Sequence, residues 1–419
     1  MTVLKKRLLG AGSVVACCLA ALPAQATNGY FANGYGAGSK GMAGAGVAVP
    51  TGVLGLAQNP AMGHKVGNMA GFCLTWFRPD RSSEISPGGP LIPGEYTSNN
   101  DNFLIPCGGA NWVINDRLTF GAFMTGNGGM NSEYSPNFFA GFGAGSDPAG
   151  VNLEQAFINL NLSYRLSDKV SVGVAPVFAI QRFSATGLEA FGGMSMDPAH
   201  VTNQGDDWST GMGVNVGVLW EPTSELAFGA SYRTRIDMEP YDKYAGLFAE
   251  KGDFDIPATA LLGVAYTPAS EQRLTLTAEV QRIFYGDIKA LANPNDPALG
   301  PLGASNGLGF GWNDMDILRV GAVWRHNPKW TFRGGVSHAT AAFDGPDAVV
   351  NTLAPATPQW HASVGASYRI NDRWGLTGSY THAFDASVSG TNPALTGMAQ
   401  PVKVRMSQHE TSLGVTYRW

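Results

Sequence analysis

Three groupings of residues in this chain could do chemistry. The first is Gly36-x-Gly38-x-x-Gly41 within "GYGAGSKGMAGAGVAVP" (34–50), with Lys40 among the glycines. Glycines at that spacing cradle a pyrophosphate when a hydrophobic strand precedes them and a helix follows, and here "TNGYFAN" precedes them with no strand. A P-loop lysine must directly follow a glycine, whereas Lys40 follows Ser39. The second grouping is the seven histidines, at 64, 200, 326, 338, 361, 382 and 409, which show no metal-ligand spacing and no local Ser/His/Asp cluster. No catalytic residue, metal or cofactor is predicted, and the chain is not expected to be an enzyme. The third is Cys73 and Cys107, which fall in adjacent predicted strands; a cross-strand disulfide and two separate buried thiols are equally compatible with the spacing.

The elements around these residues have an unusual composition. The chain has 419 residues, 55 of them Gly, and 14% are charged, where a soluble protein of this size carries nearer a quarter. Low charge without a long apolar run is the pattern of a transmembrane β-barrel, whose lipid-facing and lumen-facing residues alternate. Residues 1–26 read as a secretory signal peptide: Lys5, Lys6 and Arg7, then an apolar stretch, then Ala24-Gln25-Ala26. A rival reading would acylate Cys17 in a weak lipoprotein box. Removing those three cations from 27 leaves 24 against 32 acidic residues, a net charge of −8 that argues against nucleic-acid binding.

Period-two alternation takes over after residue 67. In "LEQAFINLNLSYRL" (153–166) Ile158, Leu160, Leu162 and Tyr164 share one face, and Asn159, Asn161 and Ser163 the other. Fourteen such segments are predicted, near 68–80, 102–114, 118–127, 153–166, 169–183, 208–221, 224–238, 254–267, 272–285, 315–326, 329–339, 358–370, 373–385 and 407–419. Connections after even segments are short, as in "NDR", "NPK" and "ND", whereas those after odd segments are mostly long and rich in Gly, Pro, Asn and Asp. That parity is the periplasmic and extracellular asymmetry of a bacterial outer-membrane barrel. The fold class expected is all-β: a transmembrane antiparallel barrel of about 14 strands over 68–419, with an N-terminal lumenal plug over 27–67. Trp76, Trp112, Trp208, Trp220, Trp324, Trp330, Trp360, Trp374 and Trp419 cluster near strand ends, where interfacial girdles belong. Outer-membrane lipid, lipopolysaccharide and the barrel assembly machinery (through Trp419) are the expected surroundings of what reads as a monomer.

"GYGAGSKGMAGAGVAVPTGVLGLAQNPA", ending in Asn59-Pro60-Ala61, resembles the N-terminal plug of the FadL/TodX family of outer-membrane transporters for hydrophobic compounds. The resemblance continues in "GFGWNDMDILRVGAVWRHNPKWTFRGGVSH" (309–338) and "WHASVGASYRINDRWGLTGSYTH" (360–382), and it implies a fourteen-stranded barrel. It further implies that a hydrophobic ligand is captured by extracellular loops, enters an apolar pocket beside the plug's N-terminus, and leaves sideways where a strand kinks inward. On that footing Tyr30, Phe31 and Tyr35 are candidate pocket contacts, and Asn59, Pro60 and Ala61 set a turn beside the wall opening. Pro106, Gly108 and Gly109 are the candidate kink, since proline cannot donate to a ladder. Phe138, Phe139, Phe142, Phe191 and Met194 are candidate capture-loop residues. Members handling fatty acids tend to carry Asp and Arg where this chain has "APATPQ" (354–359), and Lys40, Arg165 and Arg369 are the cations considered for a ligand carboxylate. Long-chain fatty acids are the first expectation for the substrate, with aromatic or aliphatic hydrocarbons as the alternative. A general diffusion porin would lack the plug and use charged constriction residues.

Overall fold

The computed structural model describes residues 28–419, so the expected signal peptide, residues 1–26, lies outside the described residues. Sixteen strands follow: β1 (Met69–Ile85), β2 (Gly94–Thr97), β3 (Phe103–Val113), β4 (Leu118–Tyr134), β5 (Ala149–Ser167), β6 (Val170–Thr186), β7 (Asp207–Trp220) and β8 (Leu226–Arg233). The series continues with β9 (Asp237–Met238), β10 (Thr259–Tyr266), β11 (Leu274–Ile283), β12 (Met315–Trp324), β13 (Trp330–Ala339), β14 (Trp360–Arg369), β15 (Trp374–Thr391) and β16 (Pro401–Arg418). All but the short β2 and β9 form one antiparallel wall, closed by β16 on β1 from Met69↔Arg418 to Ile85↔Val402. Closure pairs the last strand with the first, so neither is left as an edge that lipid could not hydrogen-bond. These fourteen strands correspond one for one to the fourteen predicted segments.

The alternation determines which way each face points. On β7 the outward row Trp208, Met212, Val214, Val216, Val218 and Trp220 is exposed, while inward Ser209 and Asn215 are buried. Trp208 and Trp220 are twelve residues apart on that strand. At ~3.3 Å per residue and a ~45° tilt this is about 28 Å along the membrane normal, close to the apolar band of such barrels. At the short-turn end, asparagines set the connections. Asn115 Oδ1 accepts from the Arg117 and Leu118 amides, Asn327 Oδ1 from Lys329 and Trp330, and Asn371 Oδ1 from Arg373 and Trp374, all at 2.9 Å. An Asn side chain that mimics a backbone turn lets two strands reverse in few residues.

Two segments end sooner than predicted. The stretch 224–238 yields β8 only to Arg233, and 254–267 starts as β10 only at Thr259. Residues Arg235 and Ile236 form an extra step: Arg233 opposes Asn215, whereas Asp237 opposes Met212, and Ile236 bridges to Ile256 instead. Other strands run past the predicted ends on the long-loop side, with β4 reaching Tyr134 and β6 reaching Thr186. On the β4 extension nearly every residue of both faces is buried, whereas on β6 buried and more exposed residues still alternate to Thr186. The long loops close over a large aromatic core that includes Tyr134, Phe138, Phe183, Phe254, Tyr285 and Trp312.

Candidate functional site

Residues 28–68 precede the wall and lie against its inner face. Their backbone can do so because glycines in facing strands stand in register. Gly173 on β6 is opposite Gly217 on β7, and a Cβ on either would overlap Asn59 or Pro60. Gly229 on β8 is opposite Gly263 on β10, where a Cβ would overlap the Val47 carbonyl or side chain. Gly321 on β12 is opposite Gly335 on β13, beside Met42. Three glycine pairs of the wall thus let the segment approach closely.

A segment without ladder partners must satisfy its backbone otherwise. Inward polar side chains do this. Asn161 Nδ2 donates to the Pro60 carbonyl (3.1 Å), Ser163 Oγ to Ala61 (2.9 Å), Asn215 Nδ2 to Ala57 (2.9 Å) and Asn111 Nδ2 to Gly63 (3.0 Å). Glu279 of β11 accepts the Gly46 and Val47 amides at 2.9 and 2.7 Å and pairs with Arg319 of β12 at 3.0 Å, with both side chains buried. Lys40, the lysine of the false phosphate motif, pairs with Glu410 of β16. Asn59 caps the turn Pro60–Met62 through Ala61 N–H (3.0 Å), while its Nδ2 donates to Val47 and Val218 carbonyls at 2.8 and 3.0 Å. Asn59-Pro60-Ala61 therefore sits on β5, β6 and β7.

The wall is irregular between β3 and β4. Their ladder runs from Val113↔Thr119 to Gly108↔Met124 and stops, although β3 begins at Phe103 and β4 continues to Tyr134. On β4 the register to β5 slips between Gly126 and Gly128, leaving Asn127 as the extra residue of a bulge, which bends a strand. The freed edge of β4 is taken by the N-terminal segment: Ala32 N–H donates to Asn127 O (2.7 Å), Gly129 N–H donates to Tyr30 O (2.9 Å), and Phe31 bridges to Gly128. Gly128 has no space for a Cβ against Tyr30. Pro106, Gly108 and Gly109 lie on β3, whose register to β1 continues unbroken through them, as Leu74↔Pro106, Phe72↔Gly108 and Gly71↔Gly109. They flank the point where the ladder ends; the bulge itself is on β4. One step from Pro106, Cys73 and Cys107 are opposite each other with Cα atoms 5.0 Å apart, joined as a disulfide. Outside, below the ladder's end, a lipid-facing groove of about 520 Å³ is lined by Phe72, Gly108, Met124, Ile158 and Leu160.

Tyr30 and Phe31 stack at 5.1 Å, and Tyr30 meets Tyr285 at 5.4 Å and Trp312 at 5.9 Å. Tyr35 Oη donates to Asn127 Oδ1 at 2.9 Å, so all three aromatic candidates approach the bulge. Phe138, Phe139 and Phe191 are buried in the loop core, with Phe142 and Met194 packed against it. Their rings contact one another, Phe138 with Phe139 at 4.4 Å and Phe139 with Phe191 at 5.0 Å. Phe191 also lines an apolar cavity of about 40 Å³ with Phe183, Phe248 and Phe310. Exposed apolar side chains on the loops are instead Ile92, Met196, Leu299 and Met398. Of the cations considered from sequence, Arg369 is exposed and Arg165 lies beside the short turns, where its N–H donates to Arg117 O. Sequence reasoning missed Arg233, a buried residue on β8 whose guanidinium covers Phe31 at 5.0 Å and Phe157 at 4.8 Å. Its inward alternation with Tyr232 was the available signal. In the loops His200 Nδ1 meets Asp197 Oδ2 at 2.7 Å, but the nearby Ser195 Oγ donates to the Gly246 carbonyl, so no nucleophile–base pair forms there.

Comparison with known proteins places this geometry. Residues 17–419 match the family model for outer membrane protein transport proteins (OMPP1/FadL/TodX). The chain is 24% identical over 268 residues to a long-chain fatty acid transport protein of Escherichia coli O6:H1, a match covering 54% of this chain and 57% of that one. It thus spans a little over half the length of the curated relatives it matches. Outer membrane protein P1 of Haemophilus influenzae is 28% identical over 182 residues, 37% of each chain. A crystal structure of a Pseudomonas aeruginosa FadL homologue superposes with a TM-score of 0.71 at 19% identity, covering 93% of this chain and 99% of that one. The Pseudomonas putida toluene transporter TodX gives 0.69 at 16% identity, with 92% and 99% covered, and both likenesses show the shared fold.

Proposed function

Because the chain belongs to the outer membrane transport protein family (OMPP1/FadL/TodX), we propose that it passes long-chain fatty acids or similar hydrophobic molecules across the outer membrane by passive, ligand-gated lateral diffusion through its wall. The observation that carries this reading is the broken β3–β4 ladder whose free edge is bonded to residues 30–32. A displaced N-terminal segment would leave β4 unpaired on that edge and open a side exit above the lipid-facing groove. An apolar solute meets a barrier in the polar lipopolysaccharide layer but partitions readily into hydrocarbon, so a sideways exit suits it. Residues 27–67 act as the plug, with Asn59, Pro60 and Ala61 fixing its far side. Tyr30, Phe31 and Tyr35 are the movable pocket contacts, and Pro106, Gly108 and Gly109 form the β3 edge of the exit. Capture begins on exposed Ile92, Met196 and Met398 and continues to the cavity beside Phe191. The filled lumen weighs against a porin, and the chain works as a monomer in lipid and lipopolysaccharide, delivered by the assembly machinery through Trp419.

The test is uptake of labelled oleate and, separately, labelled toluene in cells lacking their own fatty acid transporter. A variant without residues 27–67 serves as control, its barrel checked by heat-modifiable migration. Oleate or toluene entering faster than in empty cells, and altered by the deletion, is the expected result. Neither entering faster than in empty cells overturns the proposal.

A further inference from the structure

The short-turn end of the lumen, which faces the periplasm in such barrels, carries an arc of cations that the transport reading does not use. Arg325 directly follows β12, Arg333 is on β13, and Arg369 and Arg418 end β14 and β16. All four share the inward faces of their strands. Arg325 continues the face of buried Arg319 and Val323, and Arg333 that of Ser337. Arg369 continues the face of His361 and Ser363, and Arg418 that of Glu410 and Ser412. The ladder holds to the rim: the N–H groups of Arg325, Arg369 and Arg418 donate to the carbonyls of Arg273, Lys329 and Arg373, each at 2.8 Å. Lys329 and Arg373 add two further cations in the turns of the same arc.

These charges are not neutralised by the protein. Among the described residues none of the four arginines makes a salt bridge. Arg333 is half-buried, and its Nη1 donates to Ser367 Oγ at 2.6 Å, a neutral acceptor; Arg325 Nη1 donates to Thr275 Oγ1 at 3.1 Å. Val323 opposes Arg333, so Arg325 is its diagonal neighbour across the ladder, and the two charges repel. Arg369 opposes Gly375, which opposes Thr416, so β15 places no side chain between Arg369 and Arg418, and these charges repel as well. Of the acids in the turns of this arc, Glu271 is held by Arg273 at 2.9 Å and Asp372 makes no salt bridge. Asp116, Asp168 and Glu225 belong to turns on the other half of the wall, where Glu221 is held by Lys65 at 2.6 Å.

We propose that this arc is a binding site for a multivalent oxyanion that reaches it from the periplasm. A concave rim of one sign concentrates counter-ions, and guanidinium forks match the oxygens of phosphate and carboxylate groups. Like charges held side by side without an acid are relieved by an ion that carries several negative charges at once. Phosphate-type and polycarboxylate ions share that chemistry. The site is separate from the aromatic contacts of residues 30–35 and from the lipid-facing groove, and it does not depend on the transport reading.

The test is calorimetric titration of the full chain in detergent with inorganic pyrophosphate and, separately, citrate, with sodium chloride holding the ionic strength fixed. Arg333→Gln and Arg369→Gln are compared with Arg282→Gln, which removes an outward arginine near the loops that pairs with Asp316. The unaltered chain is expected to bind at least one of the two anions saturably, and the tighter of them identifies the phosphate or the carboxylate source. Charge-assisted bonds correspond to about ten- to a hundredfold, so half-buried Arg333→Gln should weaken binding at least about tenfold. Exposed Arg369→Gln should weaken it at least about threefold, and Arg282→Gln less than about twofold. Heat-modifiable migration reports whether each barrel has folded. If a variant does not fold, the unaltered chain still decides: the anion should raise the temperature of its migration change above that in sodium chloride of equal ionic strength. No saturable binding of either anion, no such rise, an arc variant that binds as tightly as the unaltered chain, or equal weakening by Arg282→Gln overturns the assignment.

Discussion

Replacing Glu279 by Gln is the sharpest perturbation of the proposed plug. The carboxylate holds three donors at once, the Gly46 and Val47 amides and Arg319, in a site where both charged side chains are nearly or fully buried. Glutamine keeps the shape but offers one acceptor oxygen, and its amide nitrogen must face either the two backbone N–H groups or the guanidinium. Removing one member of a buried ion pair costs about 3–5 kcal/mol, mostly because the remaining charge is left uncompensated. At about 1.4 kcal/mol per tenfold, plug-displaced states should become roughly a hundredfold to a few thousandfold more populated. The assay is single-channel recording in a planar bilayer, where displacement appears as conductance bursts. Replacing both residues, Glu279→Met with Arg319→Met, should return the burst frequency most of the way, since exchanging a buried pair for apolar side chains is often close to neutral. Glu279→Gln bursting within about threefold of the unaltered chain, in a barrel that has folded, would refute the claim that this pair holds the plug.

Two further outcomes follow from the same structure. Gly229→Ala places a Cβ into the Val47 carbonyl and should raise burst frequency, whereas Gly378→Ala, whose Cβ would meet Leu413 at an ordinary 3.5 Å, should not; equal behaviour would show that the wall glycines are not seats for the plug. Asp347, in the loop before β14, is pushed from the usual 3.8 up to about 6 by burial and then by the Asp344 carboxylate. The fold therefore prefers the protonated form, so its contribution to stability is full below about pH 4 and is lost as pH rises through about 6. Two units are a ceiling of ~3 kcal/mol, which solvent screening of a half-exposed group reduces to about 1 kcal/mol. Asp347→Asn should then slow hydrogen exchange over residues 340–359 about fivefold at pH 7.5 and leave it unchanged at pH 4.

The barrel was legible because lipid enforces it. Outward residues between the girdles must be predominantly apolar, so Leu160, Leu162 and Tyr164 had to alternate with Asn159, Asn161 and Ser163 whatever the lumen contained. Where lipid stops, so does the signal. The β8 and β10 ends were placed too far because the Arg235–Ile236 step depends on Ile256, a partner twenty residues away. That the capture-loop candidates Phe138, Phe139 and Phe191 are buried could not be read, because nothing local distinguishes an aromatic loop that covers a barrel from one facing water. Gly173, Gly217, Gly229 and Gly263 stand out in the sequence as glycines inside strands, yet their purpose appears only when register sets them opposite each other.

The lumen is divided by chemistry along its axis, and this division would let the proposed plug be both firm and releasable. Towards the short turns the plug is held by inward Asn and Ser side chains, by glycine seats and by Lys40–Glu410 and Glu279–Arg319. These bonds are directional, and each broken one leaves a buried polar group without a partner, so that half resists displacement as a unit. Towards the loops, residues 30–32 are held by a few backbone bonds to β4, by the Tyr285 hydroxyl, which accepts from Tyr30 N–H at 3.1 Å, and mainly by ring contacts with Tyr285 and Trp312. Ring contacts draw mainly on apolar burial, which is non-directional, and another apolar molecule could replace them at little cost. On the function proposed above, a hydrophobic ligand would compete with the one part of the N-terminal segment that shares its chemistry. That part is also the one bonded to the free edge of β4, so in the proposed mechanism exchange of rings for ligand and release of that edge would be the same event.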